Sequence, residues 1–268
     1  MDARFTPAHR GGSGEPLVLL HGFTDTWRTW ELVLPALERR HVVLAPTLAG
    51  HAGGPALDSH PPGPLTDVVL DAVERAMDDA GFATAHVAGN SLGGYLALKL
   101  AERGRARSVV AFAPGGGWAP GDDAYLQTLA HFDTMQEQLR QLAPRAPEIL
   151  ATPDGRRRAI SLMAERWEHI PPDLIAHLWY GVVACDGMTV LNEHARRNGW
   201  PLDAERVACP VRIVWGTEDR LLQWPRAAER WRVAFPNADW VVLDGVGHAP
   251  QLDVPLEAAQ LILGFTTP

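Results

Sequence analysis

The sequence predicts an α/β fold: a mostly parallel central sheet, helices on both of its faces, and a helical lid inserted between two sheet strands. Three observations carry this. Short apolar runs alternate with helix-forming stretches through the first half of the chain. The alternation stops at about residue 117 and resumes near residue 206. A tight Gly89-Asn90-Ser91-Leu92-Gly93 turn sits between one such run and one such helix. Strand–helix–strand order with short connections requires parallel strands and covered faces, because each crossover lays its helix on the sheet.

Leu17-Val18-Leu19-Leu20 is a continuous apolar run of the kind buried on both faces of a parallel sheet. It ends at His21-Gly22-Phe23. A helical stretch follows around Trp30 to Leu37, then a second run, Val42-Val43-Leu44-Ala45, which opens into a Gly/Pro/His-rich loop from Pro46 to Pro64. Thr66 can cap a helix that carries Val69, Val73, Ala76 and Met77 and ends near Gly81. His86-Val87-Ala88 leads into the serine turn, and Leu96 to Ala101 lies in the helix after it. Val109-Val110-Ala111-Phe112 empties into Pro114-Gly115-Gly116-Gly117, a hinge into the lid. The lid carries Trp118, Trp167, Trp179 and Trp200. The β/α rhythm resumes with Val211 to Trp215, a helix from about Pro225 to Val233, the run Trp240 to Leu243, and a last helix from about Leu256 to Phe265. The expected organisation is a core of residues 1–116 and 206–268 with a lid of residues 117–205.

At 268 residues and 46% hydrophobic content, the chain is long enough for one large domain, and its 22 Pro and 25 Gly imply many turns. The formal net charge of -8 argues against nucleic acid or an anionic membrane surface as partner, leaving a small-molecule substrate. Arg156-Arg157-Arg158 reads as a solvated helix start. Cys185 and Cys209 are too few for a disulfide framework and lack metal spacing. The start, Met1 to Thr6, has no apolar targeting core, and no stretch approaches the ~18 continuous apolar residues of a membrane span. A cytoplasmic location is expected. His51, His60, His131, His169, His177 and His194 lack metal-ligand spacing, so neither metal nor cofactor is expected.

A Gly-x-Ser-x-Gly turn between strand and helix is a nucleophile elbow. Its glycines are needed because a Cβ there would collide with the neighbouring strand or helix. The strained turn holds the Ser91 hydroxyl at the C-terminal edge of the sheet, near a helix N-terminus that stabilises negative charge. A serine hydroxyl needs a base, and the base needs a carboxylate to orient it. Gly216-Thr217-Glu218-Asp219 and Gly247-His248 both follow strands and reach that same edge. Asp219 is the preferred acid, with Glu218 its neighbouring rival and Asp203 and Asp244 weaker candidates.

Together these segments resemble the α/β-hydrolase superfamily in its lid-bearing, serine-hydrolase branch. His21-Gly22-Phe23 is similar to that family's oxyanion loop, and Gly89 to Gly94 to its elbow. Trp215 to Arg220 is similar to its acid loop, and Gly247-His248 to its histidine loop. The resemblance runs from about Pro16 to the end. It implies an oxyanion hole made by the backbone N–H groups of Phe23 and Leu92, with His21 bracing the loop. Ser91 stands where the superfamily's epoxide hydrolases and haloalkane dehalogenases carry Asp, which argues against both chemistries. Pro46 to Gly53 departs from the family's usual Asp-containing loop and takes no catalytic role. Asn90 resembles the elbow of the carbon–carbon bond hydrolases that cleave ring-fission products, although plain esterases carry Asn there too.

The expected function is a cofactor-independent serine hydrolase that cleaves a carboxylic ester or similar acyl bond with Ser91, His248 and Asp219. The alternatives are a carbon–carbon bond hydrolase, a perhydrolase using the same residues, and a ligand-binding protein on the hydrolase fold. Trp118, Trp167, Trp179 and Met188 are candidate substrate contacts from the lid.

Overall fold

The structure, a computed structural model, describes residues 5–58 and 63–266. The first four residues, His60 with its neighbours, and the last two residues lie outside the described residues. The chain runs β1 (Ala8–Gly12), β2 (Glu15–Leu20), α1 (Leu34–Leu37), β3 (His41–Pro46), α2 (Leu65–Asp79), β4 (Ala85–Asn90), α3 (Leu92–Glu102) and β5 (Ala106–Phe112). Five helices follow: α4 (Ala124–Leu142), α5 (Ala146–Ala151), α6 (Pro153–Ile160), α7 (Pro172–Val183) and α8 (Met188–Asn198). Then come β6 (Val211–Gly216), α9 (Glu229–Ala234), β7 (Asp239–Leu243), α10 (Pro250–Asp253) and α11 (Pro255–Thr266).

The seven strands form one sheet in the order β1-β3-β2-β4-β5-β6-β7, with β1 antiparallel to β3 and every other pair parallel. Continuous apolar runs make this possible, because alternate residues feed opposite faces. Val18 and Leu20 of β2 pack with α2 and α3 through Val69, Val73, Met77 and Leu96. Leu17 and Leu19 face the other way, onto Trp30, Leu34 and Leu37 of the first helical turns and Ala258 and Ile262 of α11. Strand β5 splits likewise, Val109 and Ala111 to one face and Val110 and Phe112 to the other.

Three details depart from the sequence expectations. β1 carries no apolar signal, since an edge strand is held by its backbone ladder and not by burial. Helix α2 begins at Leu65 behind the extended Pro64 (ψ 128), so Thr66 falls inside its first turn and caps nothing. Its hydroxyl instead meets His194 Nε2 at 3.3 Å. Gly116 and Gly117 are packed glycines: a Cβ on Gly116 would come within 2.4 Å of the Trp200 side chain, and one on Gly117 within 2.1 Å of the Ala227 carbonyl. Close approach explains that run better than a free hinge.

The helices between β5 and β6 have a core of their own, which includes Leu150, Ile160, Leu174, Ile175 and Trp179 together with Ala249 and Leu252 from beyond β7. Among the described residues, no single helix is long and apolar enough to cross a membrane.

Candidate active site

Ser91 sits between β4 and α3 at φ 56, ψ -117, a conformation that L-residues rarely adopt. The surroundings hold it there. Its N–H donates to the Phe112 carbonyl at 2.9 Å, and its own carbonyl accepts from Gly115 N–H at 3.0 Å. The flanking glycines are obligatory, since a Cβ on Gly89 would stand 2.1 Å from the Gly93 carbonyl oxygen and one on Gly93 2.1 Å from that of Leu20. Strain over-determined by its surroundings in this way is a mark of functional sites.

Asp219 follows β6 and His248 follows β7, and both are buried. His248 Nδ1 and Asp219 Oδ2 are 2.7 Å apart. The other carboxylate oxygen accepts the N–H groups of Leu221 (2.9 Å) and Leu222 (2.7 Å), so the acid is fixed from both sides. Glu218 is exposed and Asp244 accepts from the Thr217 hydroxyl. Asp203 accepts the Glu205 N–H at a 3₁₀ turn. The histidine pairs with Asp219 and with none of these three.

The backbone of His248 is tied down as well. Asn90 Nδ2 donates to the His248 carbonyl at 3.0 Å and to the Phe112 carbonyl at 3.2 Å, while Asn90 Oδ1 accepts from Gln251 Nε2 at 3.1 Å. Asn90 thus braces the histidine loop from beneath. Asp253 is the second brace: Oδ2 accepts from Gly247 N–H at 2.6 Å and Glu165 N–H at 3.0 Å, and Oδ1 from Arg166 N–H at 2.8 Å. Sequence reasoning passed over Asp253, because nothing in its spacing marks it.

The His21-Gly22-Phe23 loop lies against the elbow. A Cβ on Gly22 would be in ordinary contact, 3.5 Å from Ser91 Cβ. His21 Nε2 accepts the Leu48 N–H at 2.8 Å, so Nδ1 carries the proton and donates to the Gly22 carbonyl at 2.7 Å. Burial, with His51 beside it, holds His21 well below its ordinary pKa and therefore neutral. Thr24 adopts φ 65 and its hydroxyl donates to the Phe23 carbonyl at 2.6 Å, which pins the peptide after Phe23. At the elbow, the Leu92 N–H opens a helix, where first-turn N–H groups have no intrahelical acceptor.

Two cavities meet at Ser91. One, of about 70 Å³, is walled by Tyr95, Trp118, Leu129, Leu191 and Trp200. The other, of about 80 Å³, is walled by Asp25, Ile160, Met163, Leu178, Trp179 and His248. Phe23, Ser91, Phe132 and Leu221 border both. Helices α4 and α8 therefore contribute to the first cavity, and α4, α6 and α7 to the second.

Of the four lid residues expected at the substrate, Trp118 lines the first cavity and Trp179 the second. Trp167 and Met188 line neither. Trp167 packs on the insertion's own core, and Met188 is buried against Phe132 and Cys185, behind the cavity wall. Sequence reasoning missed Phe132 and Leu221, whose helical or loop spacing is unremarkable, and Asp25. That last residue lies two positions beyond the His21-Gly22-Phe23 loop, a proximity that could have marked it. Asp25 is buried; Oδ1 accepts the Thr26 N–H at 2.7 Å while Oδ2 has no partner. Burial pushes its carboxyl up to about 7, against the opposing pull of its bonds to Thr26 and Thr29. Among the described residues, no group of three or more His, Cys, Asp or Glu side chains could hold a metal ion.

A profile of the alpha/beta hydrolase family matches residues 17–261. The chain is 32% identical over 214 residues to epoxide hydrolase EphH of Mycobacterium tuberculosis, an alignment covering 74% of this chain and 93% of the relative. It is 29% identical over 270 residues to a pimeloyl-(acyl-carrier protein) methyl ester esterase of Aromatoleum aromaticum, covering 92% of this chain and 96% of that one. Among solved structures, the enol-lactonase from Burkholderia xenovorans LB400 superposes with a TM-score of 0.71 at 18% identity, covering 97% of this chain and 96% of the other.

Proposed function

This chain belongs to the alpha/beta hydrolase family, and from that premise we propose that it is a serine hydrolase cleaving a carboxylic ester through an acyl-enzyme. The carrying observation is the 2.7 Å contact between His248 Nδ1 and Asp219 Oδ2, with His248 and Ser91 on the wall of one cavity. A carboxylate on Nδ1 leaves Nε2 free to act as base. His248 takes the Ser91 proton as Oγ attacks the carbonyl carbon, and Asp219 stabilises the imidazolium that results. The N–H groups of Phe23 and Leu92 hold the oxyanion, being already aimed and needing no reorganisation. The proton then passes to the leaving alkoxide, and water activated by His248 hydrolyses the acyl-enzyme.

Similarity to a protein named as an epoxide hydrolase supports a second reading, epoxide opening. The nucleophile weighs against it. A carboxylate that opens an epoxide leaves an ester, which water can cleave; a serine would leave an ether, which water cannot, and the enzyme would stop after one turnover.

The test is labelling with a fluorophosphonate, followed by an ester panel and an epoxide panel on the same preparation. The wild type labels at Ser91 and turns over esters. Ser91→Ala does not label and loses about 10³-fold or more in rate. Epoxide turnover that survives Ser91→Ala would replace this reading with the second.

A further inference from the structure

A buried amide has to face the right way, because N–H groups need acceptors and oxygens need donors. At the sheet edge that rule fixes a chain of three side chains, Asn90, Gln251 and Thr29, each with 0% of its surface exposed. The Phe112 and His248 carbonyls can only accept, so Asn90 must turn Nδ2 to both, at 3.2 and 3.0 Å. Asn90 Oδ1 then faces Gln251, which must answer with Nε2, at 3.1 Å. The second Nε2 proton goes to Thr29 Oγ1 at 3.2 Å. Thr29 has accepted, so its own proton is free for the Asp25 carboxyl, to which its side chain is bonded. Turning the Gln251 amide over would set two amide oxygens against each other, so this arrangement holds even though Gln251 Oε1 has no partner. Away from solvent, none of these bonds has a substitute in water.

The chain reaches every part of the proposed machinery. The Phe112 carbonyl that takes Asn90 Nδ2 also takes the Ser91 N–H at 2.9 Å. The His248 carbonyl belongs to the base itself. Asp25 N–H donates to the Gly22 carbonyl, 3.3 Å away, in the loop that carries Phe23. The serine turn, the histidine loop and the His21-Gly22-Phe23 loop are thereby joined through one buried link, with Gln251 at its middle. Resting on the serine-hydrolase reading, we propose that Gln251 is a positioning residue: by fixing which way the Asn90 amide faces, it sets the place of His248 relative to Ser91 and ties both to the Phe23 loop. Gln251 lines neither cavity, so it acts on rate through position and not on substrate choice. Its role is distinct from that of Asp253, which holds the Gly247 N–H on the other side of the histidine's peptide.

The experiment reads the fluorophosphonate labelling rate, kcat and KM on one short ester, and the melting temperature. Gln251→Met keeps the length and removes the donor, while Gln251→Glu keeps the shape and points an acceptor at Asn90 Oδ1. Each should lower the labelling rate by about tenfold, part of the ~10²-fold cost of a 1 Å misplacement. The value of kcat should fall alongside, with KM holding within about twofold. Asn90→Ala should lose at least as much. Adding Gln251→Met to it should cost less than about twofold more, because a residue that acts through another is not additive with it. A folded Gln251 variant that labels at the wild-type rate, or one whose loss adds in full to that of Asn90→Ala, would overturn the proposal. If neither Gln251 variant folds, Thr29→Val decides by the same readings, with an expected fall of about threefold for one far hydrogen bond. Wild type that labels at Ser91 beside variants that label equally fast sinks this inference alone. Wild type that neither labels nor turns over esters sinks the serine-hydrolase reading and this inference with it.

Discussion

Ser91, Asp219 and His248 stand on turns at the sheet edge, while Leu129, Phe132 and Trp179 stand on helices of the insertion, and the two sets are held in place differently. At the edge, backbone geometry does the holding. Gly89 and Gly93 let strand and helix approach to distances no other residue permits, and N–H groups fix the Asp219 and Asp253 carboxylates. In the insertion, side-chain packing does it: Phe132 stacks edge-on against Phe23 with ring centroids 4.8 Å apart, and Met188 supports it from behind. Backbone-held positions tolerate almost no substitution, because the turn itself fails. Packed positions can exchange shape, since volume-conserving swaps in a core cost little. On the proposed function, this contrast predicts that chemistry depends on the edge and selectivity on the insertion.

The contrast is tested most severely at Asp219. Asp219→Asn should lower kcat by about 10⁴-fold by favouring the wrong imidazole tautomer, while Glu218→Gln, on an exposed side chain, should change it little. The reverse ranking would put the acid elsewhere. Next comes Asp253→Asn, which weakens the bonds holding the histidine loop. A misplacement of about 1 Å costs on the order of 10²-fold, so kcat should fall by up to that much, with the fluorophosphonate labelling rate falling in parallel. A loss in melting temperature with no change in labelling would make Asp253 a stabilising residue only. Phe132→Leu should move the ester chain-length optimum, and KM by up to about tenfold, more than it moves the labelling rate. Equal effects on both would erase the division between edge and insertion.

The smallest effect is on pH-dependent stability. Burial raises the folded Asp25 pKa from 3.8 to about 7, so this group's stabilisation is full below the unfolded value and is lost as pH rises through about 7. His51 runs the other way. Burial lowers its pKa from 6.5 to about 4, so its contribution is present above 6.5 and is lost as pH falls through about 4. In the wild type the two oppose each other. Asp25→Asn removes the first, so its melting temperature should climb more steeply between about pH 4.5 and about pH 7.5 than that of the wild type. Parallel curves would show that Asp25 is not desolvated as described.

The same contrast explains what the sequence disclosed. The turn at Ser91 was legible because its glycines are demanded locally, and the placement of Asp219 and His248 at the same sheet edge because each lies within a few residues of the end of an apolar run. The helical character of the insertion was legible from the missing strand signals. Its cavity walls were not: Trp167 and Met188 are as apolar as Trp118 and Trp179, and only the packing of α4 to α8 decides which of them reach the cavity. Thr66 was misjudged because Pro64 moves the helix start, a competition between neighbours that a capping pattern does not weigh.

Gly50, in the loop after β3, accepts the Gly187 N–H at 2.8 Å, and a Cβ on Gly187 would lie 2.6 Å from the Gly50 Cα. The Thr26 hydroxyl and His177 Nε2 are 2.8 Å apart, and Asp253 holds residues 165 and 166. The insertion is therefore riveted to the core at three separate places, among others. In recombination or protein engineering it does not behave as an interchangeable cassette. Transplanting residues 117–205 onto a related scaffold therefore requires counterparts of Gly50, Thr26 and Asp253 to travel with it.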